Sequence, residues 1–389
     1  MACLTQSSPV AGIYVHIPFC IRKCRYCDFY SITDISLKDA FVEALCREIA
    51  ATPSQMHFDS LYIGGGTPSM LAPSDIGRII DRISAQFSLD ASAEITLEVN
   101  PGTVTADSLK AYRERGVNRL NIGIQSFQDG FLKWLGRLHS ADAATDAVWW
   151  ARAAGFDRIG MDLMYGIPGQ SQKAWISDLH RAISLNPEHI SCYMLTCEPG
   201  TPLDRMRRLR EFEPMADGDV CDLFETTVSE LSEHGYPLYE ISNFARKDHN
   251  TPDINRSRHN QKYWTNAPYL GFGTAAHSYL NPVRYRNHRD ITAYMADVNS
   301  GRLPVAEKEV LSTEQQLMEI IFLGLRTVEG ISIERFEEKS ATPFTSLFQD
   351  ILTDPELSER FSLTPERCAL ALQGMTVLDA MAGLFVDRI

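Results

Sequence analysis

Tyr14-Val-His-Ile-Pro-Phe-Cys20-Ile-Arg-Lys-Cys24-Arg-Tyr-Cys27-Asp-Phe-Tyr30 is the stretch around which the rest of the chain is organised. Its opening residues, taken with Ala11, Gly12 and Ile13 before them, read as a short strand through Ile17 that Pro18 ends. The loop that follows carries three cysteines in the spacing C-x3-C-x2-C. Three thiolates this close can wrap one small inorganic centre. A structural zinc site takes four protein ligands, and no fourth Cys or His stands at a usual spacing. A [4Fe–4S] cube held by three cysteines keeps one iron free of protein, open to a substrate or cofactor. Cys20, Cys24 and Cys27 are therefore the candidate metal ligands.

Outward from this loop, strands alternate with helices. Asp39 to Ala50 has helical spacing, with Phe41, Leu45 and Ile49 on one face. Leu61-Tyr-Ile63 runs into Gly64-Gly65-Gly66-Thr67-Pro68, and a helix follows over about 74–86. Glycines let a backbone come close to a ligand, although such a run by itself is more often a tight turn. It fits neither the dinucleotide fingerprint nor a Walker loop. Glu94 to Asn100, Asn118 to Ile124, Arg158 to Met164 and His189 to Leu195 read as further strands. The helices between them cover about 105–115, 141–154 and 172–185. Six strands alternating with helices imply parallel pairing and right-handed crossovers. Glu98, Gln125 and Asp162 each stand at or beside the C-terminal end of a strand, the end that carries chemistry in a β/α barrel. Three polar residues on one rim, with the cysteines and glycines, are better explained by a shared ligand than by separate helix caps.

The chain has 389 residues and a formal net charge of −13. That length suggests two or three domains, and that charge argues against nucleic-acid binding as the protein's main function. No apolar run approaches the ~20 residues that span a bilayer, which excludes an integral membrane protein of the helical kind. Met1 to Pro9 lacks the basic-then-apolar order of a signal peptide. Cys3, Cys46, Cys192, Cys197, Cys221 and Cys368 are scattered and read as reduced thiols of a cytoplasmic protein.

Past the sixth strand the pattern loosens. Met215 to His234 reads as a helix and Tyr236 to Phe244 as a strand. Ala245 to Lys262 shows neither pattern, and a loop of that length in a compact domain is usually functional. It leads into His259-Asn260-Gln-Lys-Tyr263-Trp264 and the small-residue run Gly271 to Ser278. From about Asp290 the composition changes to a smaller, mostly helical module. Ser312 with Gln315 makes a capping-box pattern, and a small hairpin is expected somewhere in 332–389. The domain reading is a core over 1–245, an extension loop over 246–289 and a winged-helix-like module over 290–389 capping the barrel mouth.

Assembled, these residues resemble the radical S-adenosylmethionine (SAM) superfamily. The three-cysteine loop with an aromatic before the last Cys is its signature, and Gly64 to Pro68 resembles its SAM-binding segment. Within it the chain resembles the branch of oxygen-independent coproporphyrinogen III oxidase and the heme chaperones. Tyr14-Val-His-Ile-Pro-Phe-Cys20, Glu98-Val-Asn-Pro101, Gln125-Ser-Phe, Asp162 to Gln170 and His259 to Trp264 all fit that branch. The match covers nearly the whole chain.

The resemblance implies a partial (β/α)6 TIM-like barrel, with Cys20, Cys24 and Cys27 holding the cluster and SAM completing it. Tyr14, Gly65 and Glu98 would hold this SAM. Tyr26, Gly66, Thr67, Gln125, Arg137 and Asp162 match positions around a second SAM in the coproporphyrinogen enzyme. That enzyme carries one more Cys two residues past the cluster and a long extension before the first strand. Here Asp28 and Phe29 follow Cys27, and only about ten residues precede the strand. The His259 motif is instead characteristic of the heme chaperones, where His259 would ligate heme iron and Tyr263 and Trp264 stack on the macrocycle. The implied function is binding of heme and its transfer to an acceptor protein, with no residue singled out as catalytic. The implied partners are heme, the acceptor, an electron donor and, among oligomers, a second copy of the chain. The alternative is oxidative decarboxylation of coproporphyrinogen III. One departure lies near the C-terminus: the relatives usually have a Gly shortly after a Leu-Thr-Pro-like segment, where this chain has Glu366-Arg-Cys368.

Overall fold

The computed structural model describes residues 10–389. The expectations on Met1 to Pro9, including the thiol of Cys3, lie outside the described residues. Six strands, β1 (Ala11–Ile17), β2 (His57–Gly65), β3 (Ser88–Val99), β4 (Arg119–Gln125), β5 (Ile159–Tyr165) and β6 (His189–Met194), pair in chain order and all in parallel. Between them run α1 (Lys38–Ala51), α2 (Pro73–Gln86), α3 (Ala106–Glu114), α4 (Asp129–Leu135), α5 (Ala141–Ala153) and α6 (Gln172–Ser184). The expected parallel β/α core is present, with element ends shifted by a few residues.

The outer layer follows from helix patterning. In α2, Pro73 opens the first turn, and Ile76, Ile79, Ile80 and Ile83 face the sheet. That spacing is one stripe of a 3.6-residue helix. Each such side chain taken from water contributes about 1.5–3 kcal/mol. The inner layer is different. Strand residues pointing into the barrel alternate with core residues, period two. They include Tyr14, Ser60, Tyr62, Glu94, Glu98, Arg119, Asn121, Asp162 and His189. A polar barrel interior is costly unless its groups pair. At one end Arg119 and Glu94, 2% and 1% exposed, form an ion pair at 3.6 Å.

Past β6 come α7 (Pro202–Arg208) and α8 (Asp217–Glu233). The strand expected over 236–244 is two short antiparallel strands, β7 (Leu238–Glu240) and β8 (Asn243–Ala245), and β8 pairs with β6. Between them Glu240 accepts the backbone N–H of Ser242 and an Nδ2–H of Asn243, at 2.7 and 2.9 Å, folding the chain back. The segment read as an extension loop contains α9 (Arg258–Trp264), β9 (Tyr269–Phe272), β10 (His277–Leu280) and β11 (Val283–Asn287). After α10 (Ile291–Asn299), β12 (Val305–Val310) completes a twelve-stranded sheet ordered β12-β11-β10-β9-β1-β2-β3-β4-β5-β6-β8-β7. This sheet therefore extends beyond residue 290.

The last module is built on α11 (Thr313–Leu325), whose expected capping box is present: Ser312 and Gln315 bond each other's backbone N–H. A three-stranded sheet follows from β13 (Ile331–Ser332), β14 (Phe361–Leu363) and β15 (Arg367–Leu370). Around it lie α12 (Ile333–Glu337), α13 (Phe344–Leu347), α14 (Gln349–Leu352), α15 (Leu372–Met375) and α16 (Leu378–Val386). The departure after Leu363 is a tight hairpin in which the Thr364 N–H donates to the Arg367 carbonyl at 2.8 Å.

Candidate functional site

The cysteine loop is docked onto the barrel rim by backbone and side-chain bonds. Cys20 N–H donates to Ile32 O and Ile32 N–H to Pro18 O, at 2.9 and 2.7 Å. Arg25 N–H donates to Leu135 O at the end of α4, and Leu203 N–H of α7 donates to Arg25 O. Arg22 reaches the Gly136 carbonyl at 2.6 Å. The glycine turn lies directly beneath. Gly66 N–H donates to Ile17 O at 2.7 Å. A Cβ on Gly66 would meet Phe19 O at 2.9 Å and Ile17 O at 3.0 Å. Gly65 has φ +114°, in the region glycine favours. Cys20 Sγ and Thr67 Oγ1 are 3.5 Å apart, so the loop and the turn meet at a candidate ligand atom.

A cavity of about 550 Å³ opens at this rim, within the size range of small-molecule sites. Of the residues expected at the site, Tyr26, Cys27, Gly65, Gly66, Thr67, Glu98, Gln125, Arg137 and Asp162 all line it. Arg137 places Nη1 3.8 Å from Cys24 Sγ and Nη2 2.5 Å from Gly123 O. Its Nε is buried without a partner. Glu98 accepts from Tyr62 Oη at 2.7 Å and from Gly65 N–H at 3.1 Å. Burial raises the Glu98 carboxyl to about 7 against those two donors, with Asp162 adding to the rise. Asp162 accepts from Asn121 Nδ2 at 2.7 Å while its other oxygen is buried and unpaired. Burial lifts it to about 6. Gln125 leaves β4 with φ +70°, a conformation that costs a non-glycine residue about 1–2 kcal/mol. Such strain collects at ligand sites when the surroundings hold it in place. Asp178 supplies that hold by accepting from Ser126 Oγ at 2.6 Å and Phe127 N–H at 3.1 Å.

By donor type these residues suit an iron–sulfur cube with SAM, although among the described residues no three His, Cys, Asp or Glu side chains converge as a metal site. Burial first, and then the neighbouring thiols, lift Cys27 to about 11, so a thiolate at this position calls for a compensating cation. The orphaned oxygen of Asp162 and the orphaned Nε of Arg137 suit a ligand bearing both hydrogen-bond donors and a carboxylate. Tyr14 sits deeper, with its hydroxyl 3.0 Å from His16 Nδ1. Sequence reasoning missed Tyr62, Asn121 and Tyr193, which also line the cavity. Tyr62 is four residues before Gly66 and Asn121 four before Gln125, so alternation counted back from those two chosen residues would have found both.

His259 is not at this rim. It lies on α9, which plugs the N-terminal end of the barrel: Lys262 Nζ bonds Val10 O and Asp59, and Arg258 reaches the carbonyls of Asp59 and Ser92. His259 is 0% exposed. Its Nδ1 is 3.2 Å from Ser60 Oγ and its Nε2 is 2.9 Å from Tyr263 Oη. Its ring stacks on Tyr14 and Tyr62, and its backbone N–H donates to Glu94 at 3.2 Å. Burial, with the charge of Lys262, pushes its pKa down to about 3, so the ring is neutral. Both nitrogens are engaged, and an axial bond to heme iron would require the ring to leave this place. The expectation of a loop histidine is thus corrected to a helix. Ser257 caps α9 by accepting from Asn260 N–H, and the face that turns inward is His259 and Lys262. Hydrophobic periodicity does not register a helix whose buried face is polar. The C-terminal module does not cover the mouth either, since among the described residues the cavity lining ends at Glu198. No described helix is long and apolar enough to cross a membrane.

Comparison with known proteins agrees with this geometry. The Radical SAM superfamily pattern matches residues 14–182 and the HemN C-terminal domain pattern residues 311–375. The chain is 33% identical to heme chaperone HemW of Bacillus subtilis, over 97% of this chain and 99% of that one. It is 34% identical to heme chaperone HemW of Escherichia coli, over 90% of each. The structure of coproporphyrinogen III oxidase (HemN) from Escherichia coli superposes with a TM-score of 0.83 over 98% of this chain and 91% of that one, at 22% identity; at that identity the likeness is one of fold. With sequence kinship running the length of the chain, and the cysteine loop and glycine turn meeting at one rim, this protein belongs to the radical SAM superfamily and, within it, to the heme chaperone HemW family.

Proposed function

We propose that the chain binds heme and passes it to an acceptor protein, in the cytoplasm, with a SAM-completed [4Fe–4S] cluster at the rim. The observation that carries this reading is kinship over nearly the full chain with relatives named heme chaperones. The loop supports it: Asp28 and Phe29 stand where the decarboxylase would continue to a further cysteine, and Phe29 is 67% exposed at the mouth. Cys20, Cys24 and Cys27 are the proposed cluster ligands. Glu98, Gly65 and Tyr14 are assigned to the first SAM. Tyr26, Gly66, Thr67, Gln125, Arg137 and Asp162 are assigned to the remaining SAM contacts, a second molecule included. When bound, the cluster supplies one-electron reduction and the open iron on which SAM chelates.

The residues of the chain hold and shield that chemistry. Glu98 and Asp162 present carboxylates to a sulfonium and ribose hydroxyls, and Arg137 presents a guanidinium to a carboxylate. An electron donor and a second copy belong to this proposal, and so does a limit between the sheet and the last module, for which the strand order supports a position past β12 (Val305–Val310) and not near 245 or 290. His259 enters it through the helix it anchors, since its ring is committed to Ser60 and Tyr263.

One anaerobic preparation tests the reading. Heme titration should saturate with a Soret band, and coproporphyrinogen III with SAM and reductant should give no protoporphyrinogen. Failure to bind heme, or formation of that product, overturns it. The role of His259 separates by spectrum. His259→Phe, which keeps the stack, should leave the Soret position unchanged if the residue anchors, and should shift it if the residue ligates iron.

A further inference from the structure

At the opposite end of the barrel from the cysteine rim, α9 meets the C-terminal module around a second cavity, of about 260 Å³. Trp264 of α9 forms one wall, and Arg335 of α12 and Arg367 of β15 form another. A third arginine, Arg256, is already engaged, with Nε 2.9 Å from Asp253 and Nη1 2.5 Å from Glu329, the two acids of the lining. Arg335 and Arg367 instead donate to backbone carbonyls, Thr265 and Gly330 respectively. Among the described residues neither forms an ion pair, so most of their N–H donors are free. Placing two guanidiniums on one cavity is unfavourable in itself: burial first, and then the charge of Arg367, lower the pKa of Arg335, against Tyr279 and Glu338. The indole N–H of Trp264 is buried with no partner, held in place by Arg326 stacked 4.7 Å over its ring. In a chain of net charge −13, two uncompensated arginines beside an orphaned N–H make a local site for an anion.

We infer that this cavity binds a small oxyanion, a carboxylate or phosphate group, held by Arg335 and Arg367 with Trp264 Nε1 as a third donor. Planar guanidiniums match such groups in a two-pronged fashion. The volume admits a small acid or one acidic arm of a larger molecule, and falls below that of most cofactor pockets. A ligand here would tie the barrel plug to the last module, because its donors come from both. The inference is independent of heme and of SAM.

The test titrates the full chain with potassium phosphate and, separately, potassium propionate, each against potassium chloride at matched ionic strength, following tryptophan fluorescence. Saturation above the chloride control by either anion is expected; which one saturates names the ligand class. Arg367→Gln, at an exposed position whose side chain bonds only one carbonyl, should weaken that binding by about tenfold, the usual scale for losing a charge-assisted contact. Trp264→Phe should lower affinity while keeping the ring against Arg326, with binding then read by calorimetry. Absence of saturation with both anions, or Arg367→Gln titrating like the parent chain, overturns the inference.

Discussion

The rim of the barrel and its plug are lined by polar side chains from the same strands, yet they do opposite things with them. At the rim, polar atoms are left over: one oxygen of Asp162 and Nε of Arg137 have no partner. Around the ring of His259 in the plug they are used: Glu94 takes Arg119 and the His259 backbone, and His259 takes Ser60 and Tyr263, while Trp264 Nε1 at the other end of the same helix is left over like the rim groups. Unsatisfied buried groups mark a place built for something absent from the chain itself, whereas satisfied ones mark a place built to stay shut. The difference teaches that a motif residue is assigned by its unused bonding capacity and not by its residue type alone.

The largest effect belongs to the rim. Cys24→Ala should abolish the absorbance near about 400 nm of an anaerobically reconstituted cluster, because two thiolates no longer hold the cube. Cys46→Ala, on the outer face of α1, should keep it. Equal loss in both variants would break the assignment of the loop.

At the plug the expected effect is on stability. His259→Ala removes a buried ring from the stack with Tyr14 and Tyr62 and strands Ser60 and Tyr263. Loss of about 3 kcal/mol or more is expected from cavity and unpaired groups together, measured by urea unfolding. An unchanged midpoint with heme binding abolished would reverse the comparison and make His259 a ligand after all. Gly66→Ala is smaller and returns to the rim. Its Cβ would collide with backbone atoms of Phe19 and Ile17, and overpacking of this kind costs about 1–3 kcal/mol. SAM affinity, measured by equilibrium dialysis, should fall while heme binding persists.

How legible these regions were in the sequence follows from the same contrast. Cys20, Gly65, Glu98 and Gln125 each follow a strand or stand at its last residues, so chain order alone brought them to one rim once parallel pairing was inferred, whereas Asp162 lies in the middle of β5 and not at its end as expected. Asp178 was invisible because its contacts to Ser126 and Phe127 span half a hundred residues of chain and leave no local pattern. The helix of His259 was invisible for the opposite reason: its inward face is polar, and the groups that satisfy it, Glu94, Asp59 and Ser60, lie on strands far earlier in the chain. The misplaced cap over the mouth has the same origin, since the anchoring of the last module on α9 and β7 depends on contacts such as that of Arg326 with Glu240.

Glu98 joins the two regions, because Tyr62, which bonds it, also stacks on His259. Its carboxyl is raised by burial to about 7, above the ordinary glutamate value of about 4.3. With the folded value above the unfolded one, the folded protein binds the extra proton between the two. This contribution to stability is therefore fully present below the unfolded value and is lost as pH rises through about 7. A sulfonium ligand acts in the other sense, since it favours the ionised carboxylate. SAM affinity should accordingly rise with pH up to about 7, by at most about tenfold per pH unit for one proton released. The free protein's stability and its affinity for SAM should thus run in opposite directions over that range, and Glu98→Gln should reduce both slopes, leaving the part that Asp162 and Glu48, also raised by burial, contribute. His259→Phe, which keeps the stack on Tyr62, should leave the affinity profile where it is. A shifted profile in that variant would show that the plug sets the ionisation of the rim, and the two regions would have to be treated as one.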